Sequence, residues 1–193
     1  MAKSVVYIDC EIGIDDKKIR DLGAVRSDRS SFHAPSLRDF LAFLSDADFV
    51  CGHNIIHHDL EYLTPHLEEP LRAQPIDTLY LSPLLFPCRP YHRLVKDDKL
   101  QVDQLNNPLN DAEKAMRLLA DEVNAFQALS SKRKQIYCCL LYDKPEFGGF
   151  FDYVGFVPYR PNVPRLIREE FDGRICANAD VELMIRHYPT ELA

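Results

Sequence analysis

The sequence contains no run of about eighteen or more apolar residues, the length a membrane-spanning helix needs, and no charged N-terminal segment leading into a secretory apolar core. Neither membrane insertion nor export is expected, and the chain reads as cytoplasmic. Its six cysteines, Cys10, Cys51, Cys88, Cys138, Cys139 and Cys176, include no pair at zinc-finger spacing. Three of them lie inside apolar, strand-like stretches, so buried free thiols are expected. Basic residues are also short. A net charge of −7 speaks against a protein that coats nucleic acid through a broad basic face, because phosphate neutralisation needs clustered Lys and Arg. It does not speak against an enzyme that cuts nucleic acid. No internal repeat is present.

What the chain does have is 193 residues with 46% hydrophobic content, enough for one buried core of ordinary domain size and a small second module. The acidity is uneven. Residues 1–130 hold 14 Lys and Arg against 21 Asp and Glu, whereas residues 131–193 hold nine of each. A site that gathers carboxylates for divalent cations contributes to such an excess, as does ordinary acidic surface.

Along the chain, the β-branched run Ser4–Cys10 predicts a buried strand and Ile19–Arg26 a second strand across a polar turn. Residues 30–34 complete a meander. Ser36 stands as an N-cap before Leu37, Phe40, Leu41 and Leu44, the spacing of an amphipathic helix. Phe49-Val50-Cys51 predicts a short strand, and helical periodicity over Ile55–Leu67 follows a turn at Gly52-His53-Asn54. Pro75–Thr78 begins a further strand-to-helix unit. Residues 87–107, rich in proline, charge and asparagine, carry no assignment. Asn107-Pro108 then opens a long helix with an apolar stripe of Ala112, Ala115, Met116, Leu119, Val123 and Phe126. Beyond about Ser130 come a basic triplet, an apolar Ile136–Tyr142, an aromatic stretch Phe147–Tyr159 and two short helices near 164–171 and 180–187. The aromatic stretch is expected to build core, although its rings would also suit base stacking. The order predicts an α/β fold with a mixed sheet and packed helices, in two parts, 1–130 and 131–193.

Asp9 and Glu11, two apart at a strand end, project from one face. Two carboxylates held together repel unless a cation neutralises them, and oxygen ligands suit Mg²⁺ or Mn²⁺. Alone, such a pair is more commonly a solvated strand end. Asp59 on the inward stripe of its predicted helix needs a partner. Asp111 lies in the first turn of the long helix, where an aspartate also simply complements the helix dipole.

Taken together, these residues resemble the DEDD (DnaQ-like) 3′→5′ exonucleases. The resemblance is carried by Val6-Tyr7-Ile8-Asp9-Cys10-Glu11-Ile12-Gly13, then Ile19–Val25, then Gly52-His53-Asn54-Ile55-Ile56-His57-His58-Asp59, then Pro75–Leu79, and last Asn110-Asp111-Ala112. It covers residues 4 to about 128. It implies an RNase H-like mixed five-stranded sheet flanked by helices, with a small C-terminal extension. It further implies that Asp9, Glu11, Asp59 and Asp111 hold two divalent cations, Mg²⁺ or Mn²⁺, and that Ile12, Gly13, His53, Asn54 and Arg93 meet the substrate, a 3′-ended or single-stranded DNA or RNA. The family's general base usually stands five residues before the last aspartate, where this chain has Asn106, and its tyrosine variant would need tyrosine at Asn107. His92 is the substitute if residues 93–105 are an insertion; pairing His92 with Asp97 restores the spacing without the helix that should follow. Arg89, Arg93, Lys96 and Lys99 around His92 are placed to grip phosphates. His53, His57, His58 and His66 give little support for zinc. The stretch Leu166–Ala193 resembles the connector before the motor of RecQ-like helicases with an N-terminal exonuclease, so a fused helicase is an expected partner and the chain a segment of a longer polypeptide. Two other readings stay open: a non-catalytic nucleic-acid-binding module that lost its base, and a structural interaction domain, whose carboxylates would lie dispersed.

Overall fold

The computed structural model describes residues 3–92, 94, 107–159 and 162–193. Strand β1 (Val5–Ile12) lies at the centre of a five-stranded sheet. Its β-branched and aromatic residues alternate between two apolar faces: Val5 and Tyr7 join one cluster, Val6, Ile8 and Cys10 the other. Strand β2 (Ile19–Arg26) returns antiparallel to β1, and β3 (Ser31–His33) pairs antiparallel with β2. Helix α1 (Leu37–Leu44), capped by Ser36, buries Phe40 and Leu44 and crosses to β4 (Phe49–Gly52), which lies parallel to β1. Strand β5 (Gln74–Asp77) adds parallel to β4, giving the order β3-β2-β1-β4-β5. This is the mixed α/β sheet expected from the sequence, and its order is consistent with an RNase H-like fold.

Helix α2 (Asp59–Leu63) and a 3-10 turn at Thr64–His66 follow β4. The helix is shorter than the predicted Ile55–Leu67. Asn54 takes a positive φ of 68°, and the backbone N–H groups of Asn54 and Ile56 donate to the Asp77 carboxylate, so residues 53–58 are held as turns before the helix starts. Ile55 is still buried, but from a turn.

Helix α3 (Thr78–Leu85), capped by Asp77, leads toward the cleft described below, and helix α4 (Pro108–Ala128) packs across β1 and β2. Asn107 caps α4 by accepting from the N–H groups of Leu109 and Asn110, with Pro108 as its first residue. The stripe Ala112, Ala115, Leu119 and Phe126 is buried, and so is Glu122, which the apolar pattern did not flag.

Helices α5 (Ser131–Leu141) and α6 (Pro145–Val154) continue on the same face of the sheet. The apolar run from Ile136 carries no assignment from the sequence, since a continuous apolar run does not distinguish a buried helix from a buried strand; it is helical as far as Leu141, with Tyr142 as the C-cap. Its Cys138 is buried, as are Cys10 and Cys51, whereas Cys88 and Cys176 are exposed. Phe147, Phe150 and Phe151 belong to one cluster with Tyr7, Cys51, Ile76 and Phe126, so the aromatic stretch supplies core and the cluster runs across residue 130 without a break. Gly149 makes the fit possible: a Cβ there would stand 2.0 Å from the Pro75 carbonyl oxygen. Helices α7 (Val163–Glu170), α8 (Val181–His187) and α9 (Pro189–Leu192) complete the described chain. Among the described residues, no helix is long and apolar enough to cross a membrane.

Candidate metal centre

The odd residues of β1 face α4, so Asp9 and Glu11 emerge on the side where that helix begins. Their approach to Asp111 depends on a glycine. Gly23 pairs with Asp9 across the β1–β2 ladder, and a Cβ on it would stand 2.2 Å from both the Leu109 nitrogen and the Pro108 carbonyl carbon. Only a residue without a side chain lets the first turn of α4 press onto the sheet beside Asp9. Just beyond Glu11 the ladder shifts register, and β1 ends at Ile12, paired with Ile19.

As a result, Asp9, Glu11 and Asp111, all partly buried, offer carboxylate oxygens that lie within 4.8 Å of one another. An all-oxygen set of this size suits a hard divalent cation. Asp59 is outside this trio. It is 1% exposed, and its Oδ1 accepts from the Cys10 N–H at 2.6 Å, which ties the start of α2 to the middle of β1. Burial, together with the neighbouring carboxylates of Asp59, Asp111 and Glu11, pushes the Asp9 carboxyl up to about 8, while His58 acts in the opposite sense. Four carboxylates cannot all ionise here without a countercharge, and a divalent cation is the countercharge the donor chemistry fits. Lys114, one turn along α4, contributes part of it, with its Nζ 3.1 Å from Asp111 Oδ1.

Asp77 organises the second wall of the site. Fully buried, it accepts from the N–H groups of Asn54 (2.9 Å), Ile56 (3.1 Å) and Leu79 (3.0 Å), fixing the turns that carry His53, Asn54 and His58. Burial raises its carboxyl despite those donors. The sequence marks Asp77 only as part of an Asp-Thr pair after a strand.

The imidazoles fall into different places. His92, expected as the base, has its Nδ1 3.0 Å from Ser82 Oγ and lines a cleft with Arg89, Lys114 and Arg117. Lys114 is the residue which that cleft shares with the carboxylates. His58, not singled out by the sequence, has its Nδ1 3.6 Å from Asp59 Oδ2; that carboxylate raises its pKa and burial opposes the rise. An imidazole directly before an aspartate carries no signal of its own in a sequence, since only the turn at 53–58 aims it. His57 instead points to Glu146 of α6, at 3.4 Å. His53 is half-buried; its Nδ1 lies 2.9 Å from Thr78 Oγ1 and burial lowers its pKa to about 4, so it is a neutral ring, with Asp111 the nearby charge acting on it. Its Nε2 has no hydrogen-bond partner among the described residues.

The Gly13 N–H donates to the Lys18 carbonyl at 2.8 Å, closing the turn after β1, and Ile14 beside it is 86% exposed. Arg93, Lys96, Asp97, Lys99 and Asn106 lie outside the described residues. Comparison of the chain with protein-family models, with curated proteins and with solved structures finds no match.

Proposed function

We propose that this chain is a divalent-metal-dependent 3′→5′ exonuclease acting on single-stranded or 3′-ended DNA or RNA and releasing nucleoside 5′-monophosphates. The observation that carries the reading is the convergence of Asp9, Glu11 and Asp111, from a strand and a helix a hundred residues apart in sequence, within 4.8 Å. Dispersed carboxylates, the mark of a purely structural module, are not what this end of the sheet holds. Asp9 and Glu11 on β1, Asp59 at the start of α2 and Asp111 in the first turn of α4 support the reading.

In this reading Asp9, Glu11 and Asp111 hold Mg²⁺ or Mn²⁺, with Asp59 completing the set for a second ion. Bound cations would supply Lewis-acid stabilisation of the scissile phosphate and of the attacking and leaving oxygens. The protein's part is to keep the carboxylates converged and to position the terminal nucleotide between the Ile12–Gly13 turn and the His53-Asn54 turn, with Arg93 a further contact. The base that deprotonates the attacking water is an imidazole, whose ordinary pKa of about 6.5 matches the task. His92 is that base in the resemblance; His58 is the imidazole set against Asp59. The fused helicase and the cytoplasmic site of action stand with this proposal as its expected setting.

The test is degradation of a 5′-labelled single-stranded oligonucleotide, as DNA and as RNA, with Mg²⁺ or Mn²⁺, with chelator, and in the variants Asp9→Ala, His92→Ala and His58→Ala. A 3′-shortening ladder that vanishes with chelator and with Asp9→Ala is the expected result. Whichever histidine variant loses at least about a hundredfold in rate identifies the base. Bound but intact substrate would support the non-catalytic module in its place.

A further inference from the structure

Next to the carboxylates, the end of α3, the segment after it and the middle of α4 enclose a cleft of about 410 Å³. Its charged lining runs opposite to that of the chain. The protein carries −7 overall, yet Arg89, Lys114 and Arg117 line this cleft with Asp121 as the single carboxylate among the described lining residues. Ser82 and His92 add polar atoms, hydrogen-bonded to each other at 3.0 Å. Tyr91 stands at the rim 82% exposed, an aromatic face turned to solvent. The cleft and the carboxylate trio share α4: Asp111, Lys114, Arg117 and Asp121 succeed one another along it, and Asp111 to Arg117 is about 9 Å of helix. The Arg117 pair with Glu113, 3.4 Å apart on the surface, is of the exposed kind that yields readily to a better anion.

We propose that this cleft holds the phosphate backbone of a single nucleic-acid strand, on the 5′ side of the end that reaches Asp9, Glu11 and Asp111. The assignment rests on the exonuclease reading for the direction of the strand. Arg89 and Arg117 present planar, multi-donor guanidiniums to consecutive phosphates, Lys114 contributes a point charge at the junction with the carboxylates, and Tyr91 offers a face on which a base stacks. A basic strip of this length in an acidic protein reads backbone and not sequence, so it fits a strand of any composition.

The experiment measures binding of a labelled twelve-nucleotide oligothymidine and, separately, oligouridine, by fluorescence anisotropy in chelator across a salt series, for the wild type, Arg89→Ala/Arg117→Ala and Tyr91→Ala. The expected result for the double variant is affinity weaker by about tenfold and a salt dependence shallower by roughly 1.4 in log–log slope, two phosphate contacts at about 0.7 each. Tyr91→Ala should weaken binding with the slope unchanged. Both arginines are exposed. Arg89→Lys/Arg117→Lys, which keeps the charge, should recover most of the slope, separating lost charge from lost fold. Unchanged affinity and slope in the double variant, or no binding by the wild type, overturns the cleft assignment. Hydrolysis of the p-nitrophenyl ester of thymidine 5′-monophosphate by the wild type with Mn²⁺ reports on the carboxylates alone. Strand binding lost in the double variant, with neither that ester nor the oligonucleotides cut by the wild type, would retain the cleft and reject the exonuclease.

Discussion

Two carboxyls sit far from their ordinary behaviour, and each makes pH do something measurable. Asp9, crowded by Asp59, Asp111 and Glu11, holds its proton up to about 8 when no cation is present. On the proposed metal-binding reading, cation binding below that pH expels a proton from Asp9, so affinity for Mn²⁺ measured by calorimetry should rise with pH up to about 8 and level off above it, with buffer-dependent heats confirming the proton release. Affinity flat between pH 6 and 8 would contradict this. Glu122, inward on α4, is fully buried with neither carboxylate oxygen hydrogen-bonded among the described residues, and burial, followed by the neighbouring Asp77, pushes it up to about 9. The unfolded chain ionises this group near its ordinary value of about 4.3 while the folded chain stays protonated to about 9, so the folded state binds the extra proton and stability falls as pH rises between those limits. By pH 7 the loss relative to acid is roughly 4 kcal/mol. Glu122→Met removes it: the variant should melt several degrees above the wild type at pH 8 and gain much less at pH 5, and an identical gain at both would show that the proton is not involved.

At the scale of elements, the site is an agreement between β1, β2 and α4 that hangs on Gly23. With a Cβ 2.2 Å from the backbone of Pro108 and Leu109, Gly23→Ala must push the first turn of α4 off the sheet. A shift on the order of 1 Å separates Asp111 from Asp9 and, on the proposed exonuclease reading, is expected to lower nuclease activity about a hundredfold, with a stability loss of roughly 1–3 kcal/mol from overpacking. Calorimetric loss of cation binding alongside a modest fall in melting temperature is the diagnostic pair; full activity in a folded Gly23→Ala variant would mean that α4 does not need this approach. Asp77 does the same work for the turn between β4 and α2. Removing its side chain leaves three backbone N–H groups of Asn54, Ile56 and Leu79 without their acceptor, a loss of roughly 1–3 kcal/mol each where no water replaces it.

For the molecule as a whole, the sheet's face toward α4 is covered jointly by that helix and by α5 and α6, whose Ile136, Leu141, Phe147, Phe150 and Phe151 share one buried cluster with Tyr7, Cys51 and Ile76. A chain ending at residue 130 would leave Ile76 and Phe126 without those partners, and it is expected to show no cooperative melt, whereas the chain of 193 residues shows one. The strands, the meander, the caps of α1 and α4 and helices α7 and α8 were legible beforehand because alternation, N-cap residues and the proline after Asn107 act locally, whereas the aromatic stretch gave no sign of helix α6. The spacing of Asp9, Glu11, Asp59 and Asp111 named four acidic positions, of which Asp9, Glu11 and Asp111 come together. The helical state of Ile136–Leu141 was not legible, because a wholly apolar run fits either geometry until its neighbours are known. Nor were Asp77, His58 and Glu122, since burial and hydrogen-bond partners come from segments distant in sequence. The sequence by itself determined the five strands, helices α1, α3, α4, α7 and α8, their order and the carboxylates they carry, all consequences of side-chain pattern over a few residues. Only the tertiary structure decided that Asp9, Glu11 and Asp111 converge while Asp59 is buried against Cys10, that His92 faces a basic cleft, and that one core spans residue 130. Those outcomes depend on how closely helices approach the sheet, which Gly23 and Gly149 permit through contacts no local pattern records.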